Sequence, residues 1–155
     1  MSKKVKRISD FLSHTVVVGI LLFIAMYYPS IPDRIPIHYD MYGQCDAMGD
    51  KSNLFIVLGI MVGGYILLGL ISRYPHRFNY PFEIKEANKL RVYSVAAAMV
   101  KALRVVFMLT FACITIFTAL SVRFLTSAFT LTILISITLI LIIGSICMSK
   151  ANKGL

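Results

Sequence analysis

Charge is what this sequence has least of. Only 15% of its 155 residues are Asp, Glu, Lys or Arg, against roughly 25% in a soluble globular domain, while 58% are hydrophobic. A water-soluble fold with a polar surface is thereby excluded. Cysteine is sparse too: Cys113 and Cys147 lie inside apolar runs and only Cys45 lies in a polar stretch, so no disulfide framework is implied. The chain has no HExxH or CxxC pair of the zinc-binding kind and no glycine-rich phosphate loop. No Ser, His, Asp triad is legible. Its apolar runs carry hydroxyls such as Thr110, Thr115, Thr132, Ser136 and Thr138 near their centres, but not the charges a transporter places there. Those hydroxyls are expected to bond back to their own helix or to a neighbour. These absences weigh against an enzyme and against transport, without closing the question of enzymatic activity.

What is present is length of apolar chain. Four runs, about 11–28, 54–72, 103–122 and 125–148, reach the roughly 18–20 residues that a membrane-spanning helix needs. They predict an all-α integral membrane protein: a single membrane domain over 1–155, built as a four-helix transmembrane bundle. The first run follows Lys3, Lys4, Lys6 and Arg7 but has no small-residue cleavage pattern after it, so it is expected to be a retained anchor. Thirteen of the sixteen basic residues flank one side of the runs; only Arg34, Lys51 and Arg123 flank the other. The positive-inside rule then puts both termini in the cytoplasm and the loop 30–53 outside. The net charge of +9 thus serves orientation and contact with anionic headgroups, and no nucleic-acid partner is expected.

The connection 73–102 is the second informative stretch. His76, Arg77, Asn79, Tyr80 and Pro81 mix aromatic and basic character as an interfacial segment does, and are candidates for a cytoplasmic interface with a regulator. Beyond Pro81, from about Glu86, no breaker intervenes. The third span is therefore expected to carry a cytoplasmic helical extension of about five turns, with Lys101 and Arg104 at the rim reaching for lipid phosphates. In the second run, Gly59-Ile60-Met61-Val62-Gly63 is a pattern that lets helices approach closely. Gly64 and Gly69 would add to that face, against another helix of the chain in preference to a second copy.

The outer loop is the one stretch built for chemistry. Pro29, Pro32 and Pro36 make a stiff lead-in. His38 and Asp40 would share one face of an extended segment, and Gly43 and Gly49 would supply turns. Such a loop could bring His38, Asp40, Asp46 and Asp50 around one point. Imidazole with carboxylates suits a divalent metal, although the spacing is unlike a calcium loop and a hydrogen-bonded scaffold is the plainer reading.

The ordered pattern Pro36-x-His38-x-Asp40, Gly43-x-x-Asp46-x-x-Gly49-x-Lys51 before an apolar helix, followed later by Tyr74-Pro75-His76-Arg77-Phe78-Asn79-Tyr80-Pro81, resembles the N-terminal domain of the bacterial SdpI-type immunity proteins, a domain of unknown function. The resemblance implies a bacterial cytoplasmic-membrane protein that binds a membrane-active peptide or toxin and signals its presence. It makes His38, Asp40, Gly43, Asp46, Gly49 and Lys51 the candidate ligand-binding residues. The immunity proteins continue into further membrane helices, whereas this sequence ends after its fourth apolar run. Three readings therefore stand: a binding or immunity module with no cofactor, a metal-dependent enzyme or transporter component, and a structural accessory subunit.

Overall fold

The computed structural model describes residues 3–40 and 42–154. Four long helices account for most of them: α1 (Lys3–Tyr27), α2 (Asn53–Ile71), α3 (Lys89–Ala119) and α4 (Ser127–Lys153). All four are long and apolar enough to cross a bilayer. The protein is an integral membrane protein of four spanning helices, as composition required, with one small sheet added. That sheet is an antiparallel hairpin of β1 (Arg34–Tyr39) and β2 (Cys45–Asp50) between α1 and α2. The start of α1 and the end of α4 lie at the opposite end of the bundle, which gives the molecule a hairpin end and a terminal end.

Helix α3 is the axis of the molecule, packing against α1, α2 and α4. Helices α1 and α2 meet over a smaller area, and α4 leans chiefly on α3. The core runs from Val17, Ile20 and Ile24 of α1 through Leu54, Leu58 and Met61 of α2 to Met108, Ala112 and Ala119 of α3. Ile31 and Ile35 from the hairpin segment join it, and Ile35 is wholly buried. The hairpin is therefore a plug driven into the bundle. Between lipid-facing helices the hydrophobic effect contributes little, so close packing must hold them. Glycine provides it: a Cβ on Gly64 would lie 2.2 Å from the Phe107 ring and one on Gly144 2.4 Å from Met99 Sδ.

The Gly59-x-x-x-Gly63 pattern does not behave as expected. A Cβ at either position would meet nothing within 4 Å, so that face opens outward and the intrachain contact falls instead to Gly64 and Gly69. The helical extension expected for the third span is present: a 3-10 turn at Glu86–Asn88 leads into α3 without a break, and the segment is packed along one side. Val92, Ala96, Ala97, Ala98 and Val100 are buried, because α1 and α4 reach far enough along the bundle to cover them.

Candidate functional site

The hairpin carries the sequence candidates. Its register, Arg34 opposite Asp50, Pro36 opposite Met48, His38 opposite Ala47 and Tyr39 opposite Cys45, is interrupted twice. Ile37 is the extra residue on β1 and Asp46 the extra residue on β2; such bulges re-aim side chains. Their result is a pair: His38 Nδ1 lies 2.6 Å from Asp46 Oδ1, with both side chains largely open to solvent. A ring nitrogen held on a carboxylate leaves the other, Nε2, free to meet a ligand.

The remaining acids go elsewhere, and the expected convergence of four side chains on one point does not occur. Asp40 lies at the tip, where its Oδ1 accepts the backbone N–H of Tyr42 at 2.9 Å and of Gln44 at 2.8 Å. Asp50 lies at the base, where its Oδ1 accepts the N–H of Ser52 at 2.8 Å. The Ser52 hydroxyl first, and this N–H with it, hold its carboxyl below the usual carboxylate range, with desolvation opposing and Lys51 and Arg34 assisting. Both acids are satisfied by local turns, as short polar side chains in loops tend to be. Among the described residues no three His, Cys, Asp or Glu side chains are grouped so as to hold a metal ion.

Gly43 is the turn residue that was expected, with φ +82°. Gly49 is not; it sits inside β2, where a Cβ would come within 2.8 Å of the Ile37 side chain. Lys51 closes the base of the hairpin. Its Nζ pairs with Asp33 at 2.9 Å and lies 5.4 Å from the centre of the Tyr28 ring, and the bond to Asp33 raises its pKa despite some desolvation.

The hairpin is bolted to the α3–α4 turn. Cys45 N–H donates to the Arg123 carbonyl at 2.9 Å, Leu125 N–H to the Gly43 carbonyl at 2.8 Å, and the Tyr39 hydroxyl to the Val122 carbonyl at 2.7 Å. Burial raises the Tyr39 pKa, with Cys45 adding to the effect. Beneath β1, a groove of about 440 Å³ opens between α2 and α4, bordered by Pro36, Ile37, Tyr39, Ile56 and Ile133.

At the terminal end, the candidates His76, Arg77, Asn79 and Pro81 are exposed and Tyr80 is half-buried. Pro75–Arg77 form a 3-10 turn; the Tyr80 hydroxyl donates to the Pro75 carbonyl at 2.8 Å, and its ring faces Tyr93 of α3 at 6.0 Å. Arg77 stacks over Tyr74 at 5.4 Å. Asn152 of α4 clasps the same connection, accepting from Lys85 N–H at 2.9 Å and donating to the Glu83 carbonyl at 2.8 Å. Sequence reasoning missed Asn152, and nothing in its neighbourhood marks it.

It also missed Asp10, and with it misplaced Lys101 and Arg104. These two do not reach for lipid; both bond the Asp10 carboxylate of α1. Arg104 is buried, lies 5.1 Å over the Tyr65 ring and leaves its Nε without a partner. His14 Nδ1 meets the Tyr65 hydroxyl at 3.2 Å. A cationic side chain inside a bundle costs less when paired than when stretched past a neighbouring helix. The signal available in the sequence was Asp10 itself, the lone acid in the first helix. The mid-span hydroxyls do as expected: Thr115, Thr132 and Ser136 each donate to the carbonyl four residues earlier, at 2.7 Å.

Fold and site together define a small polytopic membrane protein with a folded polar cap at one end. Residues 15–62 match a family described as a domain of unknown function, DUF1648, a stretch running from α1 through the hairpin into α2. No curated protein and no solved structure matches the chain.

Proposed function

We propose that this is a receptor-like module of the bacterial cytoplasmic membrane, of the immunity and signalling type. Its termini are cytoplasmic and its hairpin outside. The hairpin captures a membrane-active peptide, using the exposed His38–Asp46 pair for a polar group and the groove beneath β1 for apolar side chains. One observation carries the reading: α3 runs unbroken between the two folded ends. Tyr39 ties the hairpin to the turn after it, and Tyr80 rests on its first turns at Tyr93. A displacement of the cap therefore has a stiff path to the exposed His76, Arg77 and Asn79, where a cytoplasmic regulator would read it. The basic asymmetry supports the orientation, and the match of residues 15–62 is consistent with a membrane domain whose hairpin is part of its defining segment.

The test is a selection. A library of secreted amphipathic peptides is expressed in bacteria with the wild-type protein, with a His38→Ala/Asp46→Ala variant, or with neither. A subset of toxic peptides should be tolerated only alongside the wild type, with the variant equally abundant in the membrane. If no member of the library is tolerated better with the wild type than without it, the immunity reading fails. Reporter fusions after Asn53 and Pro81 check the orientation, which requires external signal from the first alone.

A further inference from the structure

The seam between α3 and α4 is incompletely closed. Three hollows follow one another along it. Nearest the hairpin end is one of about 540 Å³ between Leu109, Cys113 and Phe117 of α3 and Thr132 and Ser136 of α4. Next is one of about 420 Å³ bordered by Ala98 and Ala102 of α3, Ile140 and Gly144 of α4 and Ser9 of α1. Last is one of about 440 Å³ between Leu90, Arg91 and Ser94 of α3 and Lys150 of α4. The second and third share Val95 and Cys147. The first continues the same stripe, since positions 98, 102, 106, 109 and 113 recur every three or four residues along one face of α3. The hollows form one trench.

Its character changes along its length. The walls are chiefly apolar, with scattered hydroxyls and no charged side chain, until the terminal end, where Lys150, Arg91 and Ser94 line a basic mouth. Lys150 is exposed, and among the described residues no carboxylate pairs with it. By contrast, Lys51, Lys89 and Lys101 are each bonded to an acid. From Ser94 to Val106 the trench follows about 18 Å of helix, enough for the roughly 15 Å half-thickness of a bilayer core.

We propose that this trench is a site for an anionic phospholipid of the leaflet on the terminal side. One acyl chain lies along the seam, and the phosphate sits at the mouth beside Lys150, within reach of the Ser94 hydroxyl. The charge complementarity selects the occupant: a zwitterionic lipid brings its own cation to a mouth that already holds the Lys150 ammonium. The chain fills the space that α4 leaves open by leaning chiefly on α3. The proposal does not depend on the peptide-binding role or on the orientation of the bundle.

The test uses the full-length protein purified in a non-ionic detergent and native mass spectrometry. It is offered equal amounts of phosphatidylglycerol and phosphatidylcholine with identical palmitoyl and oleoyl chains. The wild type should retain the anionic lipid at least fivefold better, the selectivity expected of about one basic residue acting near a headgroup. Lys150→Ala, an exposed change that leaves packing intact, should lose about that factor, and Lys150→Arg should keep it. Glycerol 3-phosphate, the same phosphate without chains, should not compete. Equal retention of the two lipids, an unchanged preference in Lys150→Ala, or effective competition by glycerol 3-phosphate would each overturn the proposal.

Discussion

Gly43 and Leu125 meet backbone to backbone. The Leu125 N–H donates to the Gly43 carbonyl at 2.8 Å, and a Cβ on Gly43 would fall 1.8 Å from the Leu125 carbonyl oxygen. This contact joins the hairpin to the α3–α4 turn, two loops separated by some eighty residues of sequence.

Replacing Gly43 by alanine should therefore loosen the cap. The left-handed φ of +82° alone costs a side chain about 1–2 kcal/mol, and the clash with Leu125 adds to it, for a total of about 2–4 kcal/mol. Gly49→Ala strains contacts with the Ile37 and Asn53 side chains, which can move, and should cost less. Limited proteolysis within 40–50 and thermal unfolding in detergent should rank the two in that order.

Asp10→Asn should be the most damaging single change at the terminal end. It leaves Lys101 and the buried Arg104 without their shared anion, and stranding a buried cation costs about 3–5 kcal/mol when fully enclosed. Asp10 is 46% exposed, so about 2–3 kcal/mol is expected after allowance for solvent screening. Asp10→Glu should recover most of it. A melting temperature for Asp10→Asn within a degree of wild type would mean that the three groups are not coupled.

The glycines of α2 should divide into two groups. Gly64→Ala drives a methyl into the Phe107 ring and should destabilise by about 1–3 kcal/mol, in the range of overpacked cores. Gly59→Ala and Gly63→Ala meet open space and should be neutral or stabilise by up to about 1 kcal/mol through helix propensity. Thermal unfolding of the three variants decides it; equal losses at Gly63 and Gly64 would place the close contact on the wrong face.

Tyr80 gives a pH dependence. Burial, assisted by the neighbouring Tyr93, pushes its pKa up to about 12 from the usual 10. Between those values the unfolded chain releases a proton that the folded chain keeps, so the stability of the connection is constant below pH 10 and falls as pH rises toward 12. Tyr80→Phe should remove that decline while also losing the bond to Pro75. Thermal unfolding of both proteins between pH 8 and 12 would check it, and parallel curves would contradict it.

How much of this was legible in the sequence follows from the physics of each element. Four spans, their order and the common side of the two termini were readable, because the bilayer imposes one length and one polarity on every crossing and the chain must alternate sides. The Gly43 turn was readable because local backbone chemistry selects glycine there. What the sequence could not say is which face of a helix meets which neighbour. Every face of an apolar helix looks alike in composition, so Gly59 and Gly63 promised a contact that Gly64 and Gly69 make. The partner of Arg104 lies on α1, more than ninety positions away, and no local pattern links them. Two bulges in the hairpin decided that Asp46, and not Asp40, meets His38. Composition and periodicity thus determined that this chain lives in a membrane and how often it crosses. Side-chain pairing across helices and strands was left to tertiary structure, because it depends on rotation about each axis and on register, and an apolar sequence leaves both undetermined.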